Sequence, residues 1–263
     1  MYQHCTICEH RCGVDRTQGP AGVCAASSKP RVFCEVMEYG EEPEFVPAYA
    51  VSFSGCNLRC VFCVTGEESQ DASAGEAANA AAIARRVRRA VAEGARSAFF
   101  LGGEPTIHLP FLLDVASRLT GLSVPLVLKT NLYLTVEALL PAILAFDVIV
   151  ADFKFGNDAC AERLGGFGDY VWVLQRNLLL AAARRRVVAG RASLLVRHLL
   201  MPGHVDCCLR PVAEWMRSEL PEAEFHVRDH YVPAFRAPSF PDVARTTTEE
   251  ESEAARSVME GVR

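Results

Sequence analysis

Three cysteines carry the sharpest chemical signal in this chain: Cys56, Cys60 and Cys63, within Ser54-Gly55-Cys56-Asn57-Leu58-Arg59-Cys60-Val61-Phe62-Cys63. The spacing is C-x3-C-x2-C, and a tight cysteine loop of this kind suits thiolate ligation of an iron–sulfur cluster. Three is the informative number of ligands. A four-iron cubane held by three protein thiolates keeps one iron open, and open metal positions are where chemistry happens. Zinc is the competing reading, because cysteine clusters also bind it. A second group, Cys5, Cys8, Cys12 and Cys24, places four thiols in the first 24 residues. So short a stretch cannot build its own core, so a bound metal is expected there, either structural zinc or a second iron–sulfur cluster. Cys34 reads as a buried thiol or a spare ligand. Cys207-Cys208 follows His204-Val205-Asp206, with Asp206 read as an N-cap and Cys207 at the electropositive end of a helix. A thiolate there would hold a thiophilic substrate or donate a hydrogen atom; core packing is the alternative, for Cys160 as well.

Elements that alternate in type must position these residues. Apolar runs predict strands over Ala48–Phe53, Ser97–Leu101, Pro125–Lys129, Asp147–Ala151, Ala192–His198 and Glu224–Val227. Helices are predicted over Glu76–Glu93, Pro110–Leu119, Val136–Leu144, Trp172–Ala183, Cys207–Glu219 and Thr246–Gly261, the first opened by a capping box at Ser73–Glu76. Val64 to Asn79 reads as a loop. Strand–helix alternation implies a parallel sheet with right-handed crossovers. Six units are too few for an eight-stranded barrel, so the expected fold is an α/β (β/α)6 partial TIM barrel with a small Cys-rich N-terminal metal-binding lobe. The lobe is placed at 1–45, the barrel at 46–235 and a C-terminal extension with a helix at 236–263. Ligands in such folds sit at the C-terminal strand ends. Cys56, Gly102-Gly103-Glu104-Pro105, Lys129-Thr130-Asn131, Asp152-Phe153-Lys154 and Arg197 all fall at such ends.

The cysteine loop after the first strand and Gly102-Gly103-Glu104-Pro105 after the second resemble the radical S-adenosylmethionine (SAM) superfamily. The resemblance implies a 4Fe-4S cluster whose open iron is chelated by SAM, and one-electron cleavage of SAM to a 5′-deoxyadenosyl radical. Gly102 and Gly103 lack a Cβ, so their backbone can approach a ligand closely. Pro105 restricts Glu104 to an extended conformation, and carbonyls there, with Glu104, suit the SAM ammonium. Phe62 resembles the aromatic that the superfamily places against adenine; plain packing is the alternative. Val150-Ala151-Asp152-Phe153-Lys154 and Val196-Arg197-His198-Leu199-Leu200-Met201-Pro202-Gly203 resemble segments of glycyl-radical-enzyme activating enzymes, which implies that Asp152, Lys154 and Arg197 lie around SAM or substrate. Lys or Arg would pair with the SAM carboxylate. Asn131 is read as a hydrogen-bond partner of the SAM ribose or carboxylate, or as a cap. The nearest resemblance is to iron–sulfur proteins similar to pyruvate formate-lyase activating enzyme. They share the Cys5, Cys8, Cys12, Gly19-Pro20-Ala21-Gly22-Val23-Cys24 element, Asp152 to Asp158, and Pro202 to Cys208. One departure is Val64-Thr65 after the third cysteine, where those relatives often carry Gln-Asn.

Composition removes other classes. The chain has 263 residues and a net charge of -5, which gives no reason to propose nucleic acid or an anionic membrane as partner. No apolar stretch reaches the roughly 18 residues needed to span a bilayer, and the first residues lack a signal-peptide pattern. The cytoplasm is the expected compartment, where 11 cysteines read as ligands and thiols rather than disulfides. Lys29, Lys129 and Lys154 are the only lysines, and two of them follow strand-like runs. Arg85, Arg86, Arg88 and Arg89 read as a solvated helix face. His198 and His226 read as packing residues, and His230-Tyr231 as a candidate facing the substrate. The expected activity is radical SAM chemistry on an unknown small molecule or protein, fed by an electron donor such as flavodoxin or ferredoxin. Activation of a glycyl radical enzyme and a non-enzymatic iron–sulfur carrier or sensor are the alternatives.

Overall fold

The computed structural model describes residues 1–40, 42–184, 187–188 and 191–260. Strand β1 spans Arg31–Glu38, β2 Ala48–Phe53, β3 Glu76–Ala77, β4 Ser97–Gly102, β5 Leu126–Thr130, β6 Val148–Asp152, β7 Val187–Val188, β8 Arg191–Ala192, β9 Leu194–Leu199 and β10 Glu224–Arg228. Helix α1 spans Gly66–Gln70, α2 Ala80–Ala92, α3 Leu109–Arg118, α4 Val136–Ala145, α5 Asp158–Gly165, α6 Tyr170–Ala182, α7 Arg210–Glu219 and α8 Glu249–Glu260. The main sheet runs β10-β9-β6-β5-β4-β2-β1-β3, beside a separate β7-β8 hairpin. Strands β2, β4, β5, β6, β9 and β10 pair in parallel and in chain order. That is the predicted α/β (β/α)6 partial barrel, open because β10 and β3 are its edges.

The strands bury both faces, as parallel strands flanked by helices do. Alternate side chains face opposite sides. One set, Ala48, Ala50, Phe99, Val127, Val148, Val150 and Leu195, meets in a single cluster inside the curve of the sheet. The other set, including Val51, Phe53, Ala98, Phe100, Leu128, Ile149 and Val196, joins the larger core shared with the helices. The β1–β2 connection enters the inner cluster. Its Phe45 is fully buried there and meets Phe99 edge-on at 6.5 Å.

Several boundaries differ from the sequence expectation for identifiable reasons. The box at Ser73–Glu76 does not cap a helix: the Ser73 hydroxyl donates to Asp71 at 2.6 Å, and Glu76–Ala77 pairs with β1. Asn79 is the cap instead, its Oδ1 accepting from the Ala82 amide at 2.9 Å. The stretch read as a loop also contains α1. Helix α5 was not expected at all; Asn157 caps it by accepting from Cys160 N at 2.8 Å. Asp206 is not an N-cap: Val205–Leu209 forms one widened turn before α7, with the Leu209 amide donating to the His204 carbonyl at 3.1 Å. Residues 31–38, assigned by sequence to the lobe, form β1, which pairs antiparallel to β2 in the main sheet. Cys34 lies on it and is exposed, not buried. The arginine face is only partly solvated, since Arg86 makes a two-pronged ion pair with Glu35 and Arg88 donates to the Arg118 carbonyl at 2.8 Å. The predicted closing helix is α8, and its expected end at Gly261 lies outside the described residues. No helix among the described residues is long and apolar enough to cross a membrane.

The N-terminal lobe docks through one buried cation. Arg16 is 1 % exposed and sits at 5.0 Å over the Tyr2 ring. Its guanidinium donates to the carbonyls of Ala26 at 2.9 Å, Ser27 at 3.0 Å and Ile107 at 2.7 Å. Three carbonyls from two segments thus satisfy a charge that would otherwise be costly to bury. Thr135, at the start of α4, adds a tether, its hydroxyl donating to the Thr6 carbonyl at 2.9 Å, and Arg176 on α6 pairs with Glu9 at 2.8 Å.

Candidate active site

A cleft of about 270 Å³ opens at the C-terminal ends of the parallel strands. Cys56, Cys60 and Cys63 line one side of it. Gly102, Gly103, Glu104, Asn131, Asp152, Lys154 and Arg197 line the rest, with Phe62 and Lys129. The residues singled out by sequence at these strand ends therefore meet there, except Phe153, which is buried in the core, and Pro105, which is buried and starts a short 3-10 turn. The cysteine loop is pinned along its length. Arg59 N and Val61 N donate to the carbonyls of Gly165 and Leu164 at 2.8 and 2.9 Å, at the C-terminal end of α5. The Asn131 amide bridges the loop to β5, donating to Asn57 Oδ1 at 2.8 Å and lying 3.8 Å from Cys56 Sγ. Asn57 in turn donates to the Tyr133 carbonyl at 3.3 Å.

Gly102 and Gly103 serve the protein's own backbone. A Cβ at Gly102 would lie 2.4 Å from Phe53 O, and one at Gly103 would lie 2.2 Å from Gly55 O. The missing side chains let β4 press against the root of the cysteine loop. Gly103 N then donates to Phe53 O at 2.8 Å, and Glu104 N to Gly55 O at 2.9 Å. The Glu104 carboxylate is also engaged internally. It accepts from Thr106 Oγ1 at 2.5 Å, Thr106 N at 3.1 Å, Thr130 Oγ1 at 2.8 Å and Asn131 N at 2.7 Å. Burial nevertheless pushes its carboxyl above the ordinary range. Glu104 thus ties the end of β4 to the end of β5. The residue after Asn131, Leu132, is held at φ 56. The Leu132 amide donates to Thr130 Oγ1 at 3.0 Å and its carbonyl accepts from Asn177 at 2.8 Å, so the surroundings over-determine this strained turn.

The floor of the cleft is a charged layer. Lys154 Nζ bonds Asp152 Oδ2 at 2.7 Å, and Arg197 Nε lies 3.9 Å from Asp152 Oδ1. Burial would push the Asp152 carboxyl up, but Lys154, Arg197 and Lys129 outweigh it and hold it down at about 2. Tyr170 fixes the turn between the pair: its hydroxyl accepts from Lys154 N at 2.7 Å and donates to Asp152 O at 3.0 Å. Burial pushes the Cys60 thiol up to about 12, against the pull of nearby Lys154, and burial raises the Cys56 thiol well above its ordinary value too. The Cys63 sulfur contacts Thr65 Oγ1 at 3.1 Å and Ser69 Oγ at 3.0 Å. The departure at Val64-Thr65 therefore has a local consequence: Thr65 reaches a cysteine sulfur, and Val64 is exposed at the mouth.

Two residues of this layer were not singled out by sequence. Arg228, at the end of β10, lines the cleft. Its neighbour on β9 is Leu199, and two residues earlier His226 stands opposite Arg197. Period-two alternation from Arg228 through His226 to Glu224 could have marked it. Behind it Glu42 reaches up from the β1–β2 connection. Glu42 pairs closely with Arg228, contacts His226 at 3.1 Å and lies 3.7 Å from Arg197. No sequence signal marks Glu42, which sits in an acidic, loop-like stretch.

The remaining candidates fall elsewhere. His198 is buried and donates from Nδ1 to the Phe153 carbonyl at 2.7 Å, a packing role as expected. His230 is exposed beside Asp229 at 3.0 Å and does not line the cleft. Tyr231 is buried at 6.2 Å from Phe62, and Phe155 flanks that ring at 5.9 Å. The four N-terminal cysteines, Cys5, Cys8, Cys12 and Cys24, line one small cavity with Arg16 and Ile107. Among the described residues, three donor atoms come within 4.8 Å of one another only at Cys160, His204 and Cys207. Neither the cleft triplet nor the N-terminal four shows that single-ion spacing.

Comparison with known proteins gives concordant results. A model of the radical SAM superfamily matches residues 51–216. An uncharacterized protein of Methanocaldococcus jannaschii is 33% identical over 266 residues, covering 99% of this chain and 75% of that protein. Among solved structures, Streptococcus suis SuiB bound to S-adenosylmethionine superposes with a TM-score of 0.59 at 14% identity, over 79% of this chain and 45% of SuiB. A radical SAM methyltransferase from Sphaerobacter thermophilus gives 0.52 at 16% identity, over 83% of this chain and 65% of that enzyme. At such identities the two structures speak to the fold alone. The chain spans less than half of SuiB.

Proposed function

This chain belongs to the radical SAM superfamily, and on that premise we propose that it is an enzyme whose Cys56, Cys60 and Cys63 hold a 4Fe-4S cluster for reductive cleavage of SAM. The family implies the cluster and SAM. One observation supports assigning them to this cleft. Three thiols share it with charged side chains from successive parallel strand ends, and the thiols are not gathered as tightly as ligands of one ion. A cubane spreads its cysteine ligands wider than a single metal does, so the donor set fits a cluster better than zinc. When bound, the cluster and SAM supply one-electron cleavage of the sulfonium, giving a 5′-deoxyadenosyl radical for hydrogen abstraction or group transfer.

The protein's contribution is positioning. Lys129, Lys154, Arg197 and Arg228 face a cleft lined by two carboxylates, Asp152 and Glu104. That balance suits the carboxylate of SAM. Asp152 is held ionised, so it can orient Lys154 or pair with the SAM ammonium. Asn131 offers its amide beside Cys56, and Phe62 supplies an apolar wall for the adenine. The Gly102–Pro105 run contributes backbone carbonyls and holds the cysteine loop. The Glu104 carboxylate is already taken by four donors, so it acts as a brace rather than as a ligand.

Cys5, Cys8, Cys12 and Cys24 are assigned a second metal group. Their shared cavity without single-ion spacing favours an iron–sulfur cluster over zinc. The domain proposal is a metal-binding lobe before β1, a core from β1 to residue 235 and an extension at 236–263. A one-electron donor of the flavodoxin or ferredoxin type, and the cytoplasm, suit such a cluster. The substrate is a small molecule or a protein. Activation of a glycyl radical enzyme is the second reading, favoured by the convergence of Asp152, Lys154 and Arg197 on one floor.

Anaerobic reconstitution with iron, sulfide and zinc quantification tests the assignment. Wild type should bind about eight irons. Cys56→Ala and Cys8→Ala should each lose about four, from different sites. Retention of all iron by Cys56→Ala would refute the cleft assignment. Loss of zinc, not iron, by Cys8→Ala would refute the N-terminal one.

A further inference from the structure

We propose that Cys160, His204 and Cys207 form a binding site for one thiophilic divalent cation, such as Zn²⁺, separate from both cysteine groups assigned to clusters. The three residues come from two loops at the same end of the barrel as the cleft. Cys160 stands in the first turn of α5, after β6, while His204 immediately precedes the widened turn after β9 and Cys207 lies within it. Their donor atoms lie within 4.8 Å of one another. Cys160 Sγ and Cys207 Sγ are 4.0 Å apart. Zinc–sulfur bonds of about 2.3 Å in tetrahedral array separate ligand sulfurs by about 3.8 Å. A disulfide would need about 2.05 Å. The observed separation is thus close to that of ligands sharing one ion and about twice that of bonded sulfurs.

The surroundings are those of a ligand shell. His204 is 3 % exposed. Its Nδ1 lies 2.7 Å from the Pro202 carbonyl, which can only accept, so Nδ1 carries the proton. With Nδ1 protonated, the neutral form of the ring carries its lone pair at Nε2, which also faces Asp242 Oδ2 at 3.6 Å and which a bound ion would take over from Arg163. A backbone carbonyl on the far nitrogen is the usual partner of a metal-bound histidine. Arg163 Nη2 lies 3.4 Å from Nε2 and is itself held by Asp242. Asn157 organises both loops. Its Oδ1 accepts from Cys160 N at 2.8 Å, and its Nδ2 donates to Cys207 O at 2.6 Å and faces Cys160 Sγ at 3.3 Å. An N–H directed at sulfur stabilises a thiolate. Two thiolates and a neutral imidazole would neutralise a divalent ion. Cys208 Sγ is 4.0 Å from Cys207 but outside the three-donor group. Because Cys207 is exposed, the fourth coordination position opens to solvent, as in zinc sites that take an external ligand.

The test uses the full chain, reconstituted anaerobically with iron and sulfide, equilibrated with Zn²⁺ and freed of excess. Wild type should retain one zinc that Cys207→Ser, Cys160→Ser and His204→Gln each lose, with iron unchanged. Replacing zinc by Co²⁺ should give a thiolate-to-cobalt absorption band in wild type that Cys207→Ser lacks. Cys34→Ser, at an exposed cysteine elsewhere, should change neither reading. Cys207 is exposed, so its serine variant should fold even if the buried His204→Gln does not. Full zinc retention by Cys207→Ser and Cys160→Ser, or a wild type that retains no zinc, would overturn the site.

Discussion

Replacing Glu42 by Gln should destabilise the protein by about 3 kcal/mol at neutral pH. Glu42 is 2 % exposed and faces Arg197 on β9 and His226 and Arg228 on β10. Burial alone would raise its carboxyl, but the hydrogen bond from His226 and the charges of Arg228 and Arg197 bring it from 4.5 down to about 2. A depression of that size corresponds to about 3 kcal/mol of stability. It also agrees with the cost of leaving buried charges without a counter-charge. For a domain of this size, Tm should fall by roughly 6–12 °C. The sign of the pH dependence is fixed by the direction of the shift. A lowered carboxyl stabilises the fold fully above its unfolded value of about 4.5. That contribution is lost as pH falls toward 2. Melting of wild type and Glu42→Gln, followed by circular dichroism from pH 7 to pH 3, should show a constant gap above pH 5 that narrows below it. A variant that melts within a degree or two of wild type at pH 7, or a gap that does not narrow, would refute the reasoning.

Three further outcomes follow from the same geometry. Gly103→Ala places a Cβ 2.2 Å from Gly55 O; backbone must move, so stability should drop by about 3 kcal/mol or more in urea unfolding and cluster loading should fall with it. Asp152→Asn leaves Lys154 and Arg197 without the carboxylate between them and should weaken SAM binding about tenfold or more in calorimetry, without loss of iron. Arg16→Met removes the guanidinium that donates to three carbonyls; leaving those carbonyls without that donor should cost about 3 kcal/mol and make the first 30 residues the first to exchange amide hydrogens.

The strands of the barrel were legible because each is a short apolar run closed by polar residues, and their ends move by at most two residues. Helix α5 was missed because Asp158–Gly165 is only two turns long and carries just Ala161 and Leu164 as a buried apolar face, while its Leu164 and Gly165 carbonyls hold the cysteine loop. Strand β1 was hidden by its surroundings. Val32, Cys34 and Val36 alternate on one face, but Phe33 and Met37 on the other face blur the pattern, and Cys34 and Val36 are exposed. The Gly102-Gly103 pair was recognised, but its reason was not. Only the three-dimensional approach of β4 to Gly55 reveals which atoms a Cβ would strike. Glu42 was out of reach for a similar reason. An acidic loop reads as solvated, and its partners lie more than 150 positions away in sequence.

The central claim concerns what the cleft does with SAM. Anaerobic, reconstituted wild-type protein given SAM and dithionite should form 5′-deoxyadenosine, quantified by chromatography and mass spectrometry, while Cys60→Ala forms none. A cluster-loaded wild type that forms none would leave the protein an iron–sulfur carrier or sensor and contradict the account, and equal product from Cys60→Ala would contradict the assignment of the cleft.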